Sequence, residues 1–232
     1  MSEATETKMT AEQLLESLRT RRDLTNADLS GLALPGAKFA GLKMSGVNLS
    51  AADLAGGLFA GAEMAGADLS QAQMTGANLA GVNLAQALFS KAKMAAARIM
   101  GANLEKADLS EADLMDAKLV GVNLQGGKLC GANLTGANIA GLNLKDADLT
   151  GAQLTGARLS RVEVTGADFT DVDTTGAVSK GVNWSAAKVP PAHLPEPLPE
   201  TPPWVPAVVM GVVVGLGLIL ILKKKKQRRK TF

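Results

Sequence analysis

The sequence predicts an all-β, four-sided solenoid, preceded by a capping helix and followed by a membrane helix. Three observations carry that prediction. An apolar residue recurs at every fifth position over most of the chain, outward residues repeat at a longer period of 20, and 232 residues include 25 Gly but only 3% aromatics. A core of interdigitating aromatic rings is excluded by seven aromatics in total. A lone Cys130 excludes an intrachain disulfide, and His193 is the only histidine available for catalysis or metal ligation.

The five-residue period runs from Leu24 to Trp184. Of these 33 positions 31 are apolar, Thr174 and Ser179 being the exceptions; Ala stands two residues before at 21, and Gly two residues after at 20. The unit reads Ala–polar–Leu–small–Gly. An α-helix would rotate residues five apart by about 140°, spiralling the apolar set round its surface. Twenty interior glycines would also cost a helix on the order of 20 kcal/mol. A continuous strand would alternate the leucines between faces, because its period is two. The chain must therefore turn once per pentad. Ala and Leu point inward from a short extended stretch, and Gly supplies the corner's positive φ.

The number of corners per coil follows from residues that need not match unless they stack. At a period of 20, Asn83, Asn103, Asn123 and Asn143 share a column, and Ser30, Ser50, Ser70, Ser90, Ser110, Cys130, Thr150 and Thr170 share another. Gly41, Gly61, Gly81, Gly101, Gly121, Gly141 and Gly181 form a third, broken by Arg161. Phe39 sits over Phe59, Met44 over Met64 and Met74 over Met94 in the same register. Four pentads per coil gives roughly eight coils, about 40 Å of solenoid at about 4.8 Å per coil.

Units such as GADLS (66–70), GANLT (131–135) and KDADLT (145–150) give the pattern A(D/N)LxG, and with it the sequence resembles the pentapeptide-repeat family over about 165 residues. The resemblance implies a right-handed quadrilateral β-helix. It implies little about activity, since that family is diverse and mostly non-enzymatic.

Residues 1–9 read as a disordered N-terminus. Residues 10–22 read as a helix lidding the first coil: Thr10 and Gln13 have capping-box spacing, and Ala11, Leu14, Leu15 and Leu18 line one face. The solenoid is expected over 23–188. Residues 189–206 hold eight of nine prolines and predict a semi-extended linker carrying a solvated His193. Residues 207–222 are uninterrupted apolar; counted from Trp204 the span is 19 residues, about 28 Å of helix. Within it Ala207, Gly211 and Gly215 lie four apart, a spacing suited to helix self-association. The tail 223–232 follows, where Lys223, Lys224, Lys225, Lys226, Arg228, Arg229 and Lys230 are expected to contact anionic lipid. These seven cations turn a formal +2 into −5 for the rest of the chain.

The topology signals conflict. The basic tail favours a cytoplasmic C-terminus and hence an external solenoid. The first residues lack the apolar region of a secretory signal, which favours a cytosolic solenoid on a tail anchor, and this is the preferred expectation. Leu198-Pro-Glu-Thr-Pro202 resembles a cell-wall sorting signal, but Pro202 stands where such signals have Gly.

Outward residues separate by charge. One column reads Asp28, Asn48, Asp68, Leu88, Asp108, Lys128, Asp148, Asp168; the opposite reads Lys38, Leu58, Asn78, Arg98, Lys118, Asn138, Arg158, Val178. Lys38, Leu58, Arg98, Met100, Lys118, Val120 and Arg158 form the candidate docking face. The expected function is a non-catalytic, membrane-tethered scaffold for protein partners, self-association included. Alternatives are a secreted effector anchoring in a target-cell membrane, and a DNA mimic that binds topoisomerases, as some relatives of similar pattern do. The mimic needs a strongly acidic rod, and residues 23–188 sum to only −3. Nucleic-acid binding is not expected, because the basic column is sparse and has no aromatic platform. No cofactor or metal is expected. Carboxylate pairs such as Asp113/Asp116 and Asp146/Asp148 sit on solvated corners, and Cys130 has no histidine partner.

Overall fold

The computed structural model describes residues 22–198 and, before them, Leu14. The chain divides into two units, Met1–Pro197 and Leu198–Phe232, and all described residues except Leu198 belong to the first. Most of the expected capping helix lies outside the described residues; Leu14, its one described apolar residue, is helical, buried and part of the core cluster. The expected disordered N-terminus, membrane helix and basic tail lie outside them entirely. Among the described residues, no helix is long and apolar enough to cross a membrane.

Residues 23–189 form a parallel β-solenoid with 20 residues per coil. The column from Asp28 through Asn48, Asp68, Leu88, Asp108, Lys128, Asp148 and Asp168 to Val189 is bridged in parallel at every step, eight steps in all. Each pentad builds this in the same way. Its first and third residues, Ala and Leu in most units, point inward and are buried. The second residue bridges neighbouring coils, as Leu109 N–H donates to Lys128 O at 2.7 Å and Asp108 N–H to Ala87 O at 3.0 Å. The corner closes when the N–H of the next first residue returns to the core carbonyl, as Ala112 does to Leu109 at 3.0 Å. One long core results, continuous from Leu14 to Ala177.

The fifth residue of every pentad from Asn26 to Gly181 has positive φ, between +51° and +70°. Glycine fills most of these sites because left-handed backbone costs other residues about 1–2 kcal/mol. The remainder, among them Ala51, Gln71 and Ala96, carry that strain. A different use of glycine appears at Gly57, an inward position. A Cβ there would meet Phe59 Cε2 at 2.8 Å, so the missing side chain makes room for the ring that packs 5.3 Å from Phe39.

One side departs from the closed corner. There β1 (Arg98–Met100), β2 (Lys118–Val120), β3 (Asn138–Ala140), β4 (Arg158–Ser160) and β5 (Val178–Lys180) are each three residues long. Met100 pairs with Val120 and Val120 with Ala140, so the ladder is deeper and the corner opens from a closed turn into a bend. The inward site just past this corner holds Ala102, Val122, Leu142 and Val162, bulkier after β2 to β4 than the Ala that most other sides hold.

The ordered packing extends past the expected boundary at 188 to Pro197, so residues 189–197 are not linker. Val189 pairs with Asp168, and β6 (Glu196–Pro197) pairs with β5, giving a six-stranded sheet in the order β1 to β6. Pro191 and Pro195 are buried. The decay of the repeat at Thr174, Ser179 and Trp184 marks this closure. Buried Thr174 donates its hydroxyl to His193 O, Trp184 Nε1 reaches Ser179 Oγ at 3.4 Å, and the Trp184 ring stands edge-on to Phe169 at 5.3 Å. Proline suits a terminal edge because it offers no N–H to a further strand.

Candidate interaction faces

The second residue of each pentad decides what a face can do, because it points outward from the ladder. On the acidic face it is usually Asp, and its carboxylate is occupied by its own corner. Ser110 N–H donates to Asp108 Oδ1 at 3.0 Å, and Thr150 gives Asp148 Oδ1 both its N–H at 3.0 Å and its hydroxyl at 2.7 Å. Thr170 does the same for Asp168 at 3.0 and 2.6 Å. These bonds satisfy the one pentad N–H that neither ladder nor turn takes, which is the physical reason for Asp or Asn at that position. They also hold the carboxylates ionised. Asp148 and Asp168 lie below the usual range because of the threonine hydroxyls and N–H groups; at Asp108 burial pushes upward, and the Ser110 bonds with Lys128 outweigh it.

Next round the coil, past the basic face, runs an asparagine ladder. Asn103, Asn123 and Asn143 each donate from Nδ2 to the Oδ1 one coil below, at 3.4, 3.1 and 3.0 Å, and Asn83 donates to Glu63 at 3.2 Å. Each oxygen also caps its own corner, as Asn123 Oδ1 accepts from Gln125 N–H at 3.2 Å. This face is internally satisfied and offers few free donors.

The basic face is built differently. The structure brings Lys38, Leu58, Arg98, Lys118 and Arg158 into one parallel column with Asn78, Asn138 and Val178. Met100 and Val120 stand beside it, paired across β1 and β2, and are 39% and 38% exposed. Among the described residues Arg98, Lys118 and Arg158 form no ion pair; the pairs present are Lys91–Glu111, Lys106–Glu105 and Lys188–Asp168. Their neighbours across the corner are Gly101, Gly121 and Gly141, with Arg161 after β4.

Sequence reasoning missed Glu196, which β6 places at the C-terminal end of the basic column opposite Val178. It also missed the cleft of about 340 Å³ between 172–177 and 193–196, lined by Asp173, Thr174, His193 and Leu194. Both follow from the proline-rich segment folding onto the last coil; the polar Thr174 and Ser179 in core register were the available signal. Cys130 replaces a Ser in its ladder, and burial, then the Asp148 carboxylate, push its thiol up to about 11, leaving it a poor nucleophile at neutral pH. The helix residues Ala207, Gly211 and Gly215 and the tail from Lys223 to Lys230 lie outside the described residues.

The inward Ala and Leu, the Asp or Asn corner cap and the left-handed Gly define a β-solenoid of pentapeptide units suited to protein interactions. The family model of pentapeptide repeats matches residues 23–57, 43–80, 67–105, 97–136 and 132–171, eight repeat copies in all, and the chain belongs to that family. Among solved structures it is similar to HetL, a pentapeptide repeat protein involved in heterocyst differentiation regulation from the cyanobacterium Nostoc. That match is 24% identical and covers 80% of this chain and 99% of the other, with a TM-score of 0.33. A trypsin-treated form of QnrB1, a plasmid-mediated fluoroquinolone resistance protein, is 21% identical over 70% of this chain and 76% of its own, TM-score 0.36. A pentapeptide repeat protein of the Arabidopsis thaliana thylakoid lumen is 24% identical over 54% of this chain and 67% of its own, TM-score 0.28. No curated protein matches the chain.

Proposed function

We propose that the protein is a non-catalytic, membrane-tethered scaffold that presents the basic face of its solenoid to protein partners on the cytoplasmic side. The observation that carries the reading is the exposure of Met100 and Val120 beside Arg98, Lys118 and Arg158 on the sheet with the deepest ladder. A rigid sheet loses little entropy when it docks, and exposed apolar side chains between unpaired cations are the composition of an interface centre. Tethering is supported by the apolar run 207–222 and the seven cations after it. The non-catalytic reading is supported by carboxylates held ionised at solvated corners and by the raised thiol of Cys130.

Protease accessibility of the solenoid tests this in intact cells and in inverted vesicles. Cleavage confined to inverted vesicles, with the full chain floating with the membrane fraction, is the expected result. A chain that stays soluble overturns the tether; digestion in intact cells overturns the cytoplasmic placement.

A further inference from the structure

Among the described residues, four of the five exposed large apolar side chains lie within two successive coils, Leu194 at the C-terminal closure being the fifth. Leu88 projects from the acidic face at 44% exposure, while Met100, Met115 and Val120 lie on the basic face or its rim, within the same and the next coil. Leu88 also stands where Asp caps the corner in neighbouring coils, so that coil gives up the cap and exposes a leucine. A local rule broken without a structural return points to a surface with another use.

The charges match at the same heights. Counting coils from the one holding Asp28 and Lys38, Asp108 and Lys118 share the fifth, and Asp148 and Arg158 share the seventh. Lys128, the cation of the acidic face, is level with neutral Asn138. Sliding one face past the other by a single coil sets Lys128 against Lys118 or Arg158 instead. We infer that the partner of the basic face is the acidic face of a second copy of this chain, packed side by side, parallel and in register, with Leu88 of one copy against Arg98 and Met100 of the next. This deepens the scaffold reading and rests on it.

The occupant follows from area as well as charge. Each face is about 40 Å by 10 Å, so the contact covers about 400 Å² per partner, half the ~800 Å² of a standard interface. Such a contact is weak between freely diffusing molecules. Tethering through one chain end gives copies a common polarity and a raised effective concentration, which is what a small, in-register contact needs. Because opposite faces pair, the contact is heterologous and repeats into a row rather than closing a dimer. An antiparallel pairing offset by three coils also opposes Asp108 to Arg158, but it overlaps only part of the solenoid and is incompatible with common tethering.

The test uses the full chain with Cys130→Ser, reconstituted in vesicles of phosphatidylcholine with a minority of phosphatidylserine. Chains carrying Ser90→Cys are mixed with chains carrying Ala95→Cys, corner positions of one coil that abut only in the parallel, in-register packing. Disulfide formation needs Cα atoms within about 7 Å, so this pair is expected to cross-link about tenfold more than Ser50→Cys with Ala95→Cys, two coils apart. Preferential cross-linking of Ser90→Cys to Lys180→Cys would mean the antiparallel arrangement and would overturn the proposal. Charge exchange is the second arm. Lys118→Asp with Arg158→Asp, and Asp108→Lys with Asp148→Lys, should each abolish cross-linking alone and restore it when the two chains are mixed. Circular dichroism confirms that each variant folds. Full cross-linking by either variant alone, or none on mixing, overturns the proposal. Vesicle flotation is read in parallel: if the chain does not float, the tether is what fails, and the same cysteine pairs at millimolar protein in solution still decide the pairing.

Discussion

The acidic and basic faces are built from the same pentad yet spend its second residue in opposite ways. On the acidic face Asp108 and Asp148 accept their own corner's N–H, so their carboxylates are anchored to the backbone. On the basic face the ladder is one residue deeper, and from β2 to β5 the strand itself takes that N–H, whereas earlier on the same face Asn78 Oδ1 still accepts from Ala80 N–H at 3.1 Å. The second residue is then free of backbone duty, which is why Lys118, Arg158 and Val178 are tolerated there. The two faces differ in whether the corner borrows their side chains.

Proline separates the two corner types most sharply. Val120→Pro removes an N–H from the β1–β2–β3 ladder and is expected to cost about 3 kcal/mol or more, or to unfold the solenoid locally. Ala65→Pro, at the equivalent place in a closed corner, is expected to change stability by no more than about 1 kcal/mol. Pro35 already occupies that place in another closed corner. Urea midpoints of the two variants make the comparison, and equal losses would break it.

Inward packing gives the next largest effect. Gly57→Ala drives a Cβ to 2.8 Å from Phe59 and 2.9 Å from Leu54 O, and should lower stability by about 1–3 kcal/mol. At the open side of a corner, Gly61→Ala meets nothing within 4 Å but keeps a φ of +68°, so its cost of about 1 kcal/mol is backbone strain alone. Thermal melts of both distinguish crowding from strain.

The capping carboxylates predict a pH dependence. Asp148, Asp168 and Asp173 have pKa values lowered by threonine hydroxyls and N–H groups, so they release their protons more readily folded than unfolded. Their contribution is complete above the unfolded value near 3.9 and disappears as the pH falls through the lower folded values. Asp148→Asn keeps an acceptor for the Thr150 N–H, as Asn48 does for Ser50 at 3.0 Å. It should therefore cost little at pH 7 and flatten the acid limb of a urea-midpoint profile, whereas Asp148→Ala should cost about 1 kcal/mol at neutral pH. The smallest effect is expected from Ala96→Gly, which relieves a φ of +56° at the expense of a freer unfolded chain, a net gain below about 1 kcal/mol.

Much of this was legible in the sequence because each part of a repeat is tested many times. The inward Ala and Leu, the glycine corner, the 20-residue coil and the two charged columns are all properties of register, and register is what periodic sequence encodes. The deeper β1–β5 ladder leaves only a partial trace in the sequence, the bulkier Val122, Leu142 and Val162 past that corner, with Ala102 past the first strand. The C-terminal closure is not legible, because composition alone cannot tell a solvated proline from the buried Pro191 and Pro195. Of the docking residues, the column itself followed from spacing. The level of Leu88 with Met100 on the opposite face mattered only once both were seen to be exposed.

Met100 and Val120 stand at the centre of the presenting surface. Met100→Asp with Val120→Asp, made in the full chain and measured by energy transfer between labelled copies in vesicles, tests it most directly. Association is expected to fall to the level of non-interacting labelled lipid, while the melting temperature stays within a few degrees of the parent. Undiminished association by the doubly substituted chain would contradict it.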